Sequence, residues 1–160
     1  MRSHLMTATI VLVLLAGAGL YWRGNQNLEA SSETTTQETK QVTIGSKTFL
    51  VELATTNEQQ TAGLSNRISL PQNQGMLFVF SPATNISFWM KDMKFGIDII
   101  WIKDGKVTQI NKGVPAPAEN VSAQDLETYS TDKPVDYVLE VNAGEADEIE
   151  VGNDVTISEL

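Results

Sequence analysis

Residues 75–102, GMLFVFSPATNISFWMKDMKFGIDIIWI, hold three apolar runs, at 76–80, 86–90 and 97–102, separated only by short polar or turn-forming breaks. Each run is five or six residues long and rich in aromatic and branched side chains. Short runs of that composition, bounded by turn residues, are the signature of buried strands. An amphipathic helix would instead repeat its apolar positions every three to four residues. The centre of the chain is therefore β-structure, and the rest must supply neighbours for it.

The flanking sequence reads the same way. Residues 41–44 and 47–54 are β-prone and flank Gly45-Ser46, which predicts a hairpin. Thr55 or Thr56 is placed to cap a short helix carrying Glu58 and Gln59 in its first turn and ending near Gly63. Asp104-Gly105 is a two-residue turn signal, so 97–102 and 106–110 should pair antiparallel. Residues 111–134, with Pro115, Pro117 and Pro134, read as a long irregular loop. Strands follow at 136–142 and 155–158, with an acidic turn or short helix at 143–148. Seven or eight short strands and one or two short helices predict a mainly β fold. The expected form is a compact antiparallel β-sandwich or barrel-like, jelly-roll-like domain.

The N-terminus is different in kind. Residues 5–22 form an uncharged, largely apolar run of 18, with Arg2 before it and Arg23 after it. That length reaches the lower limit for a membrane-spanning helix. Ala16-Gly17-Ala18 would suit cleavage of a signal peptide, whereas Tyr21-Trp22 followed by Arg23 suits an interfacial anchor. Residues 24–40 are polar, with Leu28 as their single large apolar side chain, and read as a flexible tether. The expected layout is a signal anchor or signal peptide at 1–23, a linker at 24–40 and a β-domain at 41–160. Either N-terminal reading puts the domain outside the cytoplasm, at the membrane or released from it.

Composition excludes several chemistries. The 160 residues carry a net charge of −9, which repels phosphate backbones and argues against a nucleic-acid partner. There is no cysteine, so thiol catalysis, disulfides and thiolate metal sites are out. The one histidine, His4, precedes the first apolar run, so the domain has no imidazole for a nucleophile system or a metal. Arg67 is the only arginine after Arg23 and the only source of a bidentate clamp in the domain.

Gly63-Leu64, Arg67, Leu70, Gly75-Met76-Leu77-Phe78, Phe80, Phe88-Trp89-Met90-Lys91, Asp98, Tyr137-Val138-Leu139-Glu140-Val141 and Ala143-Gly144 together resemble the domain of unknown function 192 family, DUF192. The resemblance spans about Phe49 to Val155. It implies a compact β domain, often behind a signal or anchor, and it implies no activity. Two departures stand out. Asp92-Met93 replaces the Asn-Thr usual after the Trp-Met-Lys, and Gly96 stands where proline is usual.

Five polar or aromatic residues are site candidates: Arg67, Trp89, Lys91, Asp98 and Glu140. Asp98 shares a strand face with Ile100 and Ile102, so its carboxylate needs company: backbone N–H groups, Arg67 or Lys91, or a ligand in a pocket. Glu140 faces with Val138 and is either a solvated or Arg-paired strand-end residue or a second carboxylate near Asp98. Two carboxylates together would serve glycoside hydrolysis. Trp89 and Lys91 share an outward face, a stacking platform for sugar or peptide unless the 111–134 loop covers it. Met76, Met90 and Met93 raise thioether copper(I) ligation as a minor alternative to core filling. The residues call for no cofactor. The expectation is a membrane-tethered, extracytoplasmic binding module for an envelope ligand or protein, its site where Trp89, Lys91, Asp98 and Arg67 converge. A carboxylate-dependent glycan enzyme using Asp98 and Glu140 is the alternative.

Overall fold

The computed structural model describes residues 38–160. The expected anchor at 1–23 and nearly all of the linker lie outside the described residues. Among the described residues no helix is long and apolar enough to cross a membrane.

Among the described residues nine strands, one helix and one 3-10 turn follow in order: β1 Thr39–Ile44, β2 Lys47–Ala54, α1 Asn57–Ala62, β3 Gln74–Thr84, β4 Ser87–Trp89, β5 Ile97–Lys103, β6 Lys106–Val114, a 3-10 turn at Ala123–Asp125, β7 Thr128–Ser130, β8 Val135–Asn142 and β9 Val155–Ser158. Seven strands make one sheet in the order β6-β5-β8-β3-β2-β1-β9, and β4 pairs with β7 in a separate two-stranded ribbon. The expected β class is found. The arrangement is a single curled sheet, a half-barrel, rather than two sheets stacked as in a jelly roll.

One pair departs from the antiparallel expectation: β2 and β3 run parallel, Val51 opposite Gly75 and Leu53 opposite Leu77. Parallel neighbours need a crossover, and residues 55–73, including α1, supply it. The helix begins as its sequence suggests. Thr56 and Gln59 form a reciprocal capping box. The side-chain amide of Gln60 then donates to the Ala54 carbonyl at 3.2 Å and the Val79 carbonyl at 2.9 Å, tying the helix to β2 and β3. The Asp104-Gly105 turn joins β5 to β6, both residues having positive φ as a tight hairpin requires.

The sheet has two apolar faces. The concave side holds Val42, Ile44, Phe49, Val51, Leu77, Ile100, Ile102, Leu139 and Val141. The other side of β3, β5 and β8 carries Met76, Phe78, Ile97, Ile99, Trp101 and Val138, and is covered by the crossover and the β4–β7 ribbon through Leu64, Leu70, Met90 and Met93. Burial on both faces explains why 97–102 is an almost unbroken apolar run. Curling brings the sheet's two ends together. Val107 of β6 exchanges backbone hydrogen bonds with Asn153 and Gly152, and Val155 of β9 donates to the Gly105 carbonyl at 2.8 Å.

The stretch at 111–134 is more ordered than its prolines suggest. β6 runs on to Val114, and β7 forms by pairing with β4, Trp89 opposite Thr128.

Candidate functional site

Asp98 is fully buried on the concave side near one end of β5. Its Oδ1 accepts from the Gly113 N–H at 2.7 Å, and its Oδ2 accepts from the N–H groups of Gly144 and Ala146, both at 2.9 Å. Gly113 closes β6 and Gly144 and Ala146 belong to the turn after β8, so this carboxylate pins both to β5. Three backbone donors satisfy it. It is a structural buckle, not the centre of a pocket.

Arg67 is elsewhere. Its guanidinium makes a two-pronged pair with Glu52 of β2, 2.6 Å at each prong. The pairing holds the Glu52 carboxyl below its ordinary range and raises Arg67 above its own. The expected meeting of Trp89, Lys91, Asp98 and Arg67 does not occur, because Asp98 points to the concave face and Arg67 is committed to Glu52. Trp89 is half-exposed, as its place in the strand predicted, and the Lys91 ammonium sits 5.7 Å from its ring centroid.

Glu140 is not a second carboxylate beside Asp98. In the β5–β8 register Asp98 lies opposite Val141 and Glu140 opposite Ile99. Directly paired residues point to the same side of a sheet and sequence neighbours to opposite sides, so the sheet separates the two acids. That removes the geometry a two-carboxylate glycosidase requires. Glu140 is also neither solvated nor paired with arginine. It is 6 % exposed, and no described residue makes a hydrogen bond or ion pair with its carboxyl. Burial alone pushes its pKa up to about 8.

That lone acid lines a crevice of about 40 Å³, whose walls include Leu64, Phe78, Phe88, Met90, Met93 and Ile97. Two hydrogen bonds close the wall between the crossover and the turn after β4: Ser65 Oγ donates to the Lys91 carbonyl at 2.9 Å, and Asn66 N–H donates to the Asp92 carbonyl at 2.9 Å. Phe88 is held edge-on by Phe78 and Trp101, with centroids at 4.8 and 5.6 Å. A larger groove of about 380 Å³ adjoins, bordered by Asn57, Phe80 and Ile86 and sharing Gln60, Thr61, Phe78, Phe88 and Trp89 with the crevice. Sequence reasoning had Glu140 and the methionines as separate candidates. The signal that joins them is register: Met76 pairs directly with Glu140 across β3 and β8.

The DUF192 family profile, described as "Uncharacterized ACR", matches residues 39–158. Among solved structures, a protein of unknown function from Novosphingobium aromaticivorans is similar, with 29 % identity, a TM-score of 0.67, and 78 % of this chain and 89 % of that one covered. A Sinorhizobium meliloti protein described as a candidate transcription regulator is similar at 26 % identity and a TM-score of 0.67, covering 76 % of this chain and 95 % of that one. No curated protein matches.

Proposed function

The chain belongs to the DUF192 family, and on that premise we propose that its β-domain is a non-catalytic binding module for a small, singly charged cation, seated at the Glu140 crevice. The observation that carries this reading is a carboxyl group, 6 % exposed and without a partner among the described residues, facing a cleft walled by apolar side chains. Burying such a group alone is costly, and a cation is the complement that would offset the cost. The net charge of −9 favours the same partner, because an acidic surface concentrates cations and disfavours polyanions. By that argument the regulator description of the Sinorhizobium neighbour does not extend to DNA binding here.

The placement outside the cytoplasm, tethered through residues 5–22, is part of the proposal and rests on the sequence. Protease added to spheroplasts of an expressing bacterium would digest the domain if it lies outside and spare it if it does not.

The binding reading is tested by titrating the full chain in detergent with benzylammonium, potassium and silver(I), following the amides of Gly63, Leu64, Phe88 and Met90 by NMR. Saturable shifts with any one of these, lost in Glu140→Gln, support it. Silence with all three overturns it.

A further inference from the structure

We infer that Met90, Met93 and Glu140 form a site for one thiophilic monovalent metal ion, copper(I), inside the crevice. The inference rests on the binding reading above and names its ligand.

Three observations converge. First, Met90 and Met93 are spaced i, i+3 across a turn that the Met93 N–H closes on the Met90 carbonyl at 3.2 Å, with Asp92 at φ 60°. Such a turn brings the backbones at its two ends close together. Both methionines line the crevice that Glu140 lines. Met76 lies on the same sheet face as Glu140, directly across the strand pair, and belongs to the same apolar cluster as Met90 and Met93.

Second, the donor set selects the metal. Thioethers are soft ligands that suit copper(I) and suit magnesium, calcium or manganese poorly. Hard divalent ions want several carboxylates, and no group of three His, Cys, Asp or Glu side chains is assembled among the described residues. One carboxylate cancels the charge of one monovalent ion. A divalent ion would leave a positive charge among Leu64, Phe78, Phe88 and Ile97, where desolvation is most costly.

Third, the space fits. A cavity needs roughly 10–15 Å³ to hold one water, so about 40 Å³ takes an ion with little else. An organic cation must leave most of itself in the neighbouring groove. Ligation is a proton exchange: the Glu140 carboxylic acid and the ion give the metal carboxylate and a proton released to solvent. No redox change occurs when the metal arrives as copper(I).

The test is anaerobic competition of the full chain, in detergent, against bicinchoninate for copper(I), with silver(I) as a redox-inert substitute. Met90→Leu, Met93→Leu and the double variant keep side-chain volume nearly constant. Thermal unfolding checks that each remains folded, and NMR of the methionine methyl groups reports directly on the sulfurs. His4, Met1 and Met6 are unchanged in every variant, so any difference belongs to the crevice. The expected result is one equivalent of metal that shifts the Met90 and Met93 methyls. Affinity should fall at least tenfold in either single variant and further in the double. Equal affinity in the double variant, or no metal uptake by the wild type, overturns the inference. Should benzylammonium bind through Glu140 while silver(I) is silent, the metal assignment fails and the binding reading stands. If benzylammonium, potassium and silver(I) are all silent, both fail.

Discussion

Glu140→Gln keeps the shape of a side chain and removes its charge, so it isolates what that charge costs. In an unfolded chain Glu140 ionises near 4.5, and in the folded protein near 8. Below about pH 4.5 both states are protonated and the group has no effect on stability. As pH rises, the unfolded chain releases its proton first, so folding is progressively penalised until the folded carboxyl also ionises. In chelator-treated protein, Glu140→Gln should match wild type at pH 4.5 and exceed it increasingly toward pH 8. The plateau is on the order of a few kcal/mol, and thermal unfolding across that range measures it. A gap independent of pH would show that the carboxyl does not titrate in this window. Asp98 predicts the opposite sign. Both of its oxygens accept from backbone N–H groups, and an asparagine would turn its NH2 toward at least one of them. Asp98→Asn should cost about 2–3 kcal/mol, lowering the melting temperature by several degrees without touching the crevice.

Among the strands, β3 and β8 approach so closely that one position admits no side chain. A Cβ on Gly75 would stand 2.6 Å from the Glu140 carbonyl oxygen and 3.0 Å from a Leu139 methyl. Gly→Ala in a strand ordinarily helps by reducing unfolded-state freedom, but here the two backbones would have to part. Gly75→Ala should therefore lower the melting temperature by roughly 5 °C or more, and the displaced β8 should carry Glu140 with it, visible as shifts at Leu64 and Phe88. The crossover has its own clasp in the Arg67–Glu52 fork. Lysine cannot reproduce two parallel prongs. On a pair that stays in partial contact with solvent, Arg67→Lys should cost about 1 kcal/mol, with a smaller difference at high salt. Equal stability would mean that the fork adds nothing beyond packing.

The sheet as a whole is held curled by a join between its ends. A chain ending at Val151 lacks β9 and the backbone hydrogen bonds that join it to the β5–β6 hairpin, Gly152 and Val155 donating and the Asn153 carbonyl accepting. Amide exchange should then accelerate at Val107 of β6 as well as along β1, five strands away in the sheet order. Acceleration at β1 alone would show that the ends are independent. Much of this architecture was legible beforehand, because strand periodicity, the Thr56 cap and the Asp104-Gly105 turn are local matters that neighbouring residues settle among themselves. The faces of Asp98 and Glu140 were also legible, since alternation along one strand is a property of that strand. Their relation was not. Register between β5 and β8 decides which side of the sheet each acid shares with the other strand, and register depends on pairing between distant segments. The parallel β2–β3 pair escaped for the same reason, since residues 55–73 carry no local sign of which strand edge they return to. So the sequence alone determined a β-domain without thiol or imidazole chemistry, containing one carboxylate among apolar neighbours that needed a partner. Only the tertiary structure decided that Asp98 is the satisfied acid and Glu140 the solitary one. Burial is a sum over segments far apart in the chain, and no short stretch of sequence contains it.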